Sequence, residues 1–331
     1  MNTVGVVGLG QIGGSIARGL ALRGVSVTGT DTDPYALESA KRSGINIVAD
    51  LRAVVASSSV IFVCVSLDAN KRVLQEIIEA AGECDAAPTI TDVASYKKGT
   101  SFRPDGYVGL IPGHPMAGTH GHGFNSSNPD LFVQAQWILT ADDVIENDRI
   151  VPLIRIITSL GARVQLCSSA WHDEAVSMIS ALPHVLAIAL GKVSVESDDC
   201  ESKLSLAAGS FRSATRVLQS NPRFIQELLF FNTDTLLPLI PSVVDVLQNI
   251  AHALRSGDRK HLAALIEDAR HSAVYIEGKE VFSVPQEVRL TEVNLFLQSL
   301  VNTGHSISKV EENSDSIRFG LEYLHTKSFD H

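Results

Sequence analysis

The sequence predicts an α/β domain followed by an all-α one: a doubly wound parallel sheet over residues 1–168, a helical domain over 169–300, and a C-terminal tail over 301–331. Three observations carry this reading. The first 31 residues run strand, glycine turn, helix, strand, acid. Short apolar runs then alternate with helical stretches up to about residue 168, the pattern of a parallel sheet with crossover helices. Beyond Cys167 strand signals nearly vanish and helical periodicity takes over.

The first element is Val4–Val7, a short β-branched run, followed at once by Gly8-Leu9-Gly10-Gln11-Ile12-Gly13. A helix over Ser15–Arg23 and a strand over Val25–Thr30 lead to Asp31. This is the order of a Rossmann-type dinucleotide site. Gly8 turns the chain out of the strand, Gly10 leaves room for a pyrophosphate against the backbone, and Gly13 lets the helix pack close to the sheet. Asp31 can accept hydrogen bonds from the adenosine ribose and repels a 2′-phosphate, so NAD is the expected cofactor.

Helices follow at 35–43 and Leu51–Ala56, with a short strand at Ile45–Val48. Val60–Val65 is the clearest buried strand and ends at Ser66. A helix over Val73–Ala81 leads to strands at Thr89–Val93 and Val108–Ile111. Strands at Trp137–Thr140 and Arg163–Leu166 flank a helix over 148–160. Ligands of such sheets sit at the carboxyl ends of strands, which brings forward Ser66, Ser95 and His114. The expected cofactor contacts are Gly8, Leu9, Gly10, Gln11, Ile12, Gly13, Asp31, Ser66 and Ser95.

Helices are expected at Ala170–Val195, Lys203–Ser220, Pro222–Leu237, Pro241–Ser256, Arg259–Glu277 and Val288–Leu300. Their apolar faces, such as Ile225, Leu228, Leu229 and Phe230, exceed what one layer of helices buries, and a homodimer is the expected sink. Net charge is −10, which argues against nucleic acid and acidic membrane surfaces. No apolar run in the sequence approaches the ~20 residues of a membrane span. Only three residues precede the first strand, so no leader is expected and the protein reads as cytoplasmic. The four cysteines are far apart and read as reduced packing residues.

The chemistry centres on Gly113-His114-Pro115-Met116-Ala117-Gly118-Thr119. His114 follows a strand end on the cofactor side. A neutral imidazole there can take a proton from a hydroxyl as hydride leaves the same carbon, and activity should fall as it protonates near ~6.5. Ser95, one strand away, could hydrogen-bond that imidazole or the nicotinamide amide. Arg212 and Arg216, four apart, share a helix face and suit bidentate carboxylate binding. His114, His120 and His122 form an H-x5-H-x-H pattern. The glycines at 118, 121 and 123 leave it unconstrained and hydride transfer needs no metal, so no metal is assigned.

Five segments in order resemble the prephenate and arogenate dehydrogenases of tyrosine biosynthesis: GLGQIGGSIA at 8–17, TDVASYKK at 91–98, GHPMAGT at 113–119, HDEAVSMISALPH at 172–184 and GSFRSATRV at 209–217. The resemblance spans about residues 1–280. It implies NAD-dependent oxidative decarboxylation of a small anionic cyclohexadienyl substrate, prephenate giving 4-hydroxyphenylpyruvate, by a homodimer whose helical domain serves substrate binding and dimerisation. It makes His114 the catalytic histidine and Ser95 its supporting serine. His184 becomes a second active-site histidine and Arg216 the arginine on a substrate carboxylate, with Thr119, His120 and Arg212 on the substrate wall. His172 and Asp173 match the family's HD pair, although a role at a helix N-terminus explains them nearly as well.

Four positions depart from the family pattern. His120 replaces a glutamate, Ala181 a histidine and Ser213 an aspartate, and a tryptophan expected near Phe224 and Ile225 is missing. All touch the substrate wall rather than the redox centre. Arogenate and 4-amino-4-deoxyprephenate are therefore the alternative substrates. A catalytically silent NAD-sensing protein is the alternative of another class, against which the His114, Ser95 and Arg216 set speaks. Arogenate's ammonium would want a carboxylate nearby, and residues 113–129 hold no Asp or Glu, which favours prephenate.

Overall fold

A computed structural model describes residues 3–84, 86–98, 107, 109–118, 121–142, 147–277 and 279–326. The chain forms two compact units, Met1–His172 with Ser283–Glu322, and Asp173–Phe282 with Tyr323–His331.

The first unit opens with β1 (Val4–Val7), α1 (Gln11–Leu22), β2 (Val27–Thr30), α2 (Pro34–Arg42), β3 (Asn46–Ile47), α3 (Leu51–Ser57), β4 (Val60–Val63), α4 (Leu67–Ala81) and β5 (Thr89–Asp92). The five strands form a parallel sheet in the order β3-β2-β1-β4-β5. Every residue of β1, β2, β4 and β5 is buried, as expected for strands covered on both faces. Asp33 and Asp50 cap α2 and α3 by accepting backbone N–H bonds from Tyr35 and Ala53.

The chain then forms β6 (Gly113–Pro115), β7 (Gln136–Thr140), α5 (Asn147–Ser159) and β8 (Arg163–Cys167). The strand expected at Val108–Ile111 is displaced. Leu110 makes one bridge to Ile90, and Val108 lies outside the described residues. Pro112 has no N–H to continue a ladder, and the chain pairs with β7 from Gly113 onward.

The helix Ser169–Ser194 begins in the first unit and continues into the second from Asp173; it is made of α6 (Ser169–Val176), a π-helical turn (Ser177–Ala181) and α7 (Leu182–Ser194). Pro183 follows the wide turn. A proline has no N–H for residue i−4 and its ring crowds that carbonyl, so a locally wider helix relieves the conflict. The helix expected over 203–220 breaks into α8 (Cys200–Leu204), α9 (Gly209–Thr215) and a 3₁₀ turn (Arg216–Gln219). Then come α10 (Pro222–Phe231), α11 (Thr233–Leu236), α12 (Leu239–Ser256) and α13 (Arg259–Glu277). A small core joins Val176, Ala181, Leu228 and Leu236. Met178, Ile179, Val193, Phe230, Leu247 and Leu254 remain more than half exposed, far more apolar surface than that core uses. Contrary to the expectation from sequence, Ser169–Ser194 and Thr233–Ser256 are long and apolar enough to cross a bilayer by length and composition, with 28% and 11% of their most apolar windows buried.

The C-terminal part corrects the all-α expectation and the expected tail. It forms β9 (Lys279–Arg289), α14 (Val293–Ser299), β10 (Ser306–Glu312) and β11 (Ser316–Thr326). These strands extend a mixed six-stranded sheet ordered β6-β7-β8-β10-β11-β9, in which Ser306 and Ile307 pair antiparallel with Gln165 and Val164 of β8. The helix expected over 288–300 is reduced to a 3₁₀ turn at Leu290–Glu292 and α14. Val293, Leu297, Leu300, Ile307, Val310, Ile317 and Phe319 join the same core as β1, β4 and α5.

Candidate active site

The glycine turn has the shape a dinucleotide needs. Gly8 has φ +89°, and a Cβ there would lie 2.4 Å from the Cys64 carbonyl oxygen. A Cβ on Gly13 would lie 1.9 Å from the Gly8 oxygen, so helix and strand meet where only glycine fits. A Cβ on Gly10 would meet nothing within 4 Å, leaving an open approach to the backbone at the start of α1. Asp31 stands one residue past β2. Its carboxylate accepts the Leu9 N–H and, at 2.8 Å, the Asp33 N–H, which fixes it beside the turn with lone pairs to spare. The Leu9 side chain is wholly buried, so this residue can offer a cofactor only its backbone. Gln11 and Ile12 are partly exposed at the start of α1. The cradle fits a dinucleotide. Ser66, just before α4, donates its hydroxyl to Asp68 at 2.5 Å.

His114 sits in the middle of β6, paired with Ile138. Its Nδ1 lies 2.9 Å from Nε2 of His172, and the two rings meet edge to face with centroids 5.2 Å apart. Burial pushes the His114 pKa well below the ordinary histidine value, and the neighbouring His172 and Lys97 push it the same way. The imidazole is therefore held neutral. Ser95 does not engage it: its Oγ is buried with no hydrogen-bond partner among the described residues, which leaves it for a ligand and corrects the expected contact with the ring.

A buried ion pair that sequence reasoning missed holds His114 in place. Lys97 and Asp92 are both wholly buried, with Nζ 2.7 and 2.9 Å from the two carboxylate oxygens. The same Nζ donates to the Gly113 carbonyl at 2.6 Å, and the Gly113 N–H donates to Asp92 at 2.9 Å. Asn70 adds a further donor to Asp92 at 3.1 Å. Both backbone groups of the residue before His114 are thus clamped. The available signal was the D-x4-K spacing of TDVASYKK, which pattern alone reads as a solvated turn.

The segment after His114 packs on α1. A Cβ on Gly121 would come 3.3 Å from Gln11 Nε2, and Arg18 donates to the Ser127 carbonyl at 2.6 Å. Ser15 Oγ accepts the Asn128 N–H at 2.9 Å. Thr119 and His120 lie outside the described residues. At the start of α6, Asp142 accepts the Ser169 N–H at 2.7 Å. The helix end is thus capped from elsewhere, and His172, 2% exposed, is no capping residue.

In the second unit, His184 is 6% exposed and its Nδ1 donates to the Ser180 carbonyl at 2.8 Å. Its Nε2 is buried without a partner among the described residues. As imidazole that atom accepts a donor, and as imidazolium it donates to a carboxylate. Arg212 is exposed near the end of α9, with Nε 3.3 Å from the Ala207 carbonyl. Arg216 opens the following 3₁₀ turn, exposed and with no carboxylate paired to it among the described residues. A groove of about 560 Å³ lined by Val193, Lys203, Leu206 and Phe211 contains none of these residues.

Residues 16–166 match the family profile described as "Prephenate dehydrogenase, nucleotide-binding domain", and residues 168–268 match "Prephenate dehydrogenase, dimerization domain". The chain is 28% identical over 284 residues to a cyclohexadienyl dehydrogenase of Zymomonas mobilis, covering 83% of this chain and 96% of that one. It is similar to the crystal structure of Synechocystis arogenate dehydrogenase, with 27% identity, TM-score 0.71, and 82% and 98% of the two chains covered. The fold is shared with the prephenate dehydrogenase of A. aeolicus solved in complex with hydroxyphenyl propionate and NAD+. There identity is 21%, TM-score 0.75, and coverage 84% and 99%.

Proposed function

The chain belongs to the prephenate dehydrogenase family, and on that premise we propose that it catalyses the NAD-dependent oxidative decarboxylation of prephenate to 4-hydroxyphenylpyruvate. The carrying observation is the neutral, clamped imidazole of His114, in a segment that packs on Gln11 of the dinucleotide turn. NAD+, when bound, supplies the hydride acceptor. His114 Nε2 takes the proton of the ring hydroxyl while hydride leaves the carbon bearing it. The bond to the ring carboxylate then breaks, its electron pair enters the ring, and carbon dioxide departs. The proton on His114 returns to the new phenolic oxygen, so no net proton is gained or lost.

Arg216 holds a substrate carboxylate in this reading, with Arg212, His184, Thr119 and His120 on the substrate wall. Asp31 receives the adenosine ribose, and Ser66 and Ser95 serve the nicotinamide end. The relatives named above take their names from cyclohexadienyl, arogenate and prephenate chemistry, which supports the reaction type more strongly than the side chain. The lack of Asp and Glu between Gly113 and Pro129 favours the keto-acid side chain of prephenate over the ammonium of arogenate. The exposed apolar helices of the second unit suit a homodimer, and the protein fits a cytoplasmic setting.

The deciding assay follows NADH absorbance with prephenate, arogenate and 4-amino-4-deoxyprephenate side by side. Prephenate should give the highest kcat/KM. His114→Asn should lower kcat by at least ~100-fold with NAD+ binding retained. No NADH from any of the three would overturn the reading.

A further inference from the structure

A histidine that accepts a proton at Nε2 must already carry its other proton on Nδ1. That Nδ1–H needs an acceptor, because a buried donor left unpaired costs about 1–3 kcal/mol. Ser95, the expected partner, does not reach the ring. The acceptor within reach is Nε2 of His172, 2.9 Å away on a fixed helix and 2% exposed.

We propose that His172 is the positioning residue of this active site: its Nε2 lone pair receives the Nδ1–H of His114, which selects the tautomer whose Nε2 faces substrate and fixes the plane of the ring. The inference rests on the reading of His114 as proton acceptor. The opposite arrangement, with His172 donating to His114, would place a hydrogen on His114 Nε2 and leave it unable to accept.

The groups around the pair agree with this assignment. Lys97 is a cation beside His114, but its ammonium is spent on Asp92 and the Gly113 carbonyl. No carboxylate is hydrogen-bonded to His114 among the described residues. A histidine in that place can orient the ring without the fixed negative charge by which a carboxylate would draw a proton onto it before substrate arrives. His172 therefore serves a base that must remain free.

His172→Gln and His172→Leu test the proposal, since glutamine keeps an acceptor oxygen near the place of Nε2 and leucine does not. In the full-length enzyme, kcat with the best substrate should stay within about threefold of wild type in His172→Gln. It should fall roughly 10- to 100-fold in His172→Leu, the scale of a misplaced catalytic group. The Kd for NAD+ should hold in both. Equal losses in both variants, or near-normal turnover in His172→Leu, would overturn the proposal.

A readout independent of turnover is the side-chain ¹⁵N spectrum, with the His114 signals identified by their loss in His114→Asn. Wild type and His172→Gln should show a protonated Nδ1 and an unprotonated Nε2, and His172→Leu a tautomer mixture. A protonated Nε2 in the wild type would refute the proposal. If wild type turned over none of the three substrates, the reading of function would fall, while this spectrum would still decide the role of His172.

Discussion

A proton acceptor has to be unprotonated before its substrate arrives, and at His114 the surroundings enforce this. Burial, His172 and Lys97 all lower its pKa, so the acid-side loss of activity should lie below the ~6.5 that the sequence suggested. The neutral form is the active one and persists to lower pH. A kcat/KM profile should therefore stay level from pH 8 through 6.5 and fall only beneath it; a midpoint at or above 6.5 would contradict the environment described. The Asp92–Lys97 pair makes a second residue-scale prediction. Lys97→Met strands a buried carboxylate and should cost about 3–5 kcal/mol in denaturant unfolding, while also lowering kcat through the loosened Gly113. A loss below ~1 kcal/mol would mean that the pair does not anchor the strand. His114 was legible because a Gly-His-Pro run after an apolar strand is conspicuous. The ion pair was not, since charge in a sequence says nothing of burial.

Among the elements, the shape of the glycine turn was legible at Gly8, Gly10 and Gly13, because each glycine answers a separate steric demand. Substitution should separate those demands. Gly10→Ala meets open space, so folding should survive, but KM for NAD+ should rise at least ~10-fold as the methyl enters the pyrophosphate's approach. Gly13→Ala drives a methyl into the Gly8 carbonyl and should unfold the unit or markedly lower its Tm. Equal behaviour of the two variants in a thermal melt would refute the distinction. The C-terminal strands were illegible for specific reasons. Pro285 argues against a strand, yet β9 is at the sheet edge, where a missing N–H is tolerated. In β10 a register shift between Ile307 and Lys309 breaks the alternation that would have marked it.

For the molecule as a whole, the first unit is assembled from two stretches that are far apart in sequence. Val288, Val293, Leu297, Leu300, Ile307, Val310, Ile317 and Phe319 are buried in its core. At roughly 1.5–3 kcal/mol per buried apolar side chain, their loss rivals the ~5–15 kcal/mol that hold a domain folded. A chain ending at Phe282 should therefore aggregate or lack a cooperative melt, and should fail to bind NAD+ in calorimetry. A soluble fragment with an unchanged Tm would show these strands to be dispensable. The reading of residues 301–331 as a tail went wrong here, because composition does not reveal that β8 has an open edge waiting for a partner.

That open edge has a consequence during synthesis. The ribosome releases β8 roughly 140 residues before β10, and at about 5–20 residues per second the delay is on the order of ten seconds. For that interval the nascent chain presents an unsatisfied row of amides and carbonyls next to freshly made apolar helices, the kind of aggregation-prone surface that chaperones shield.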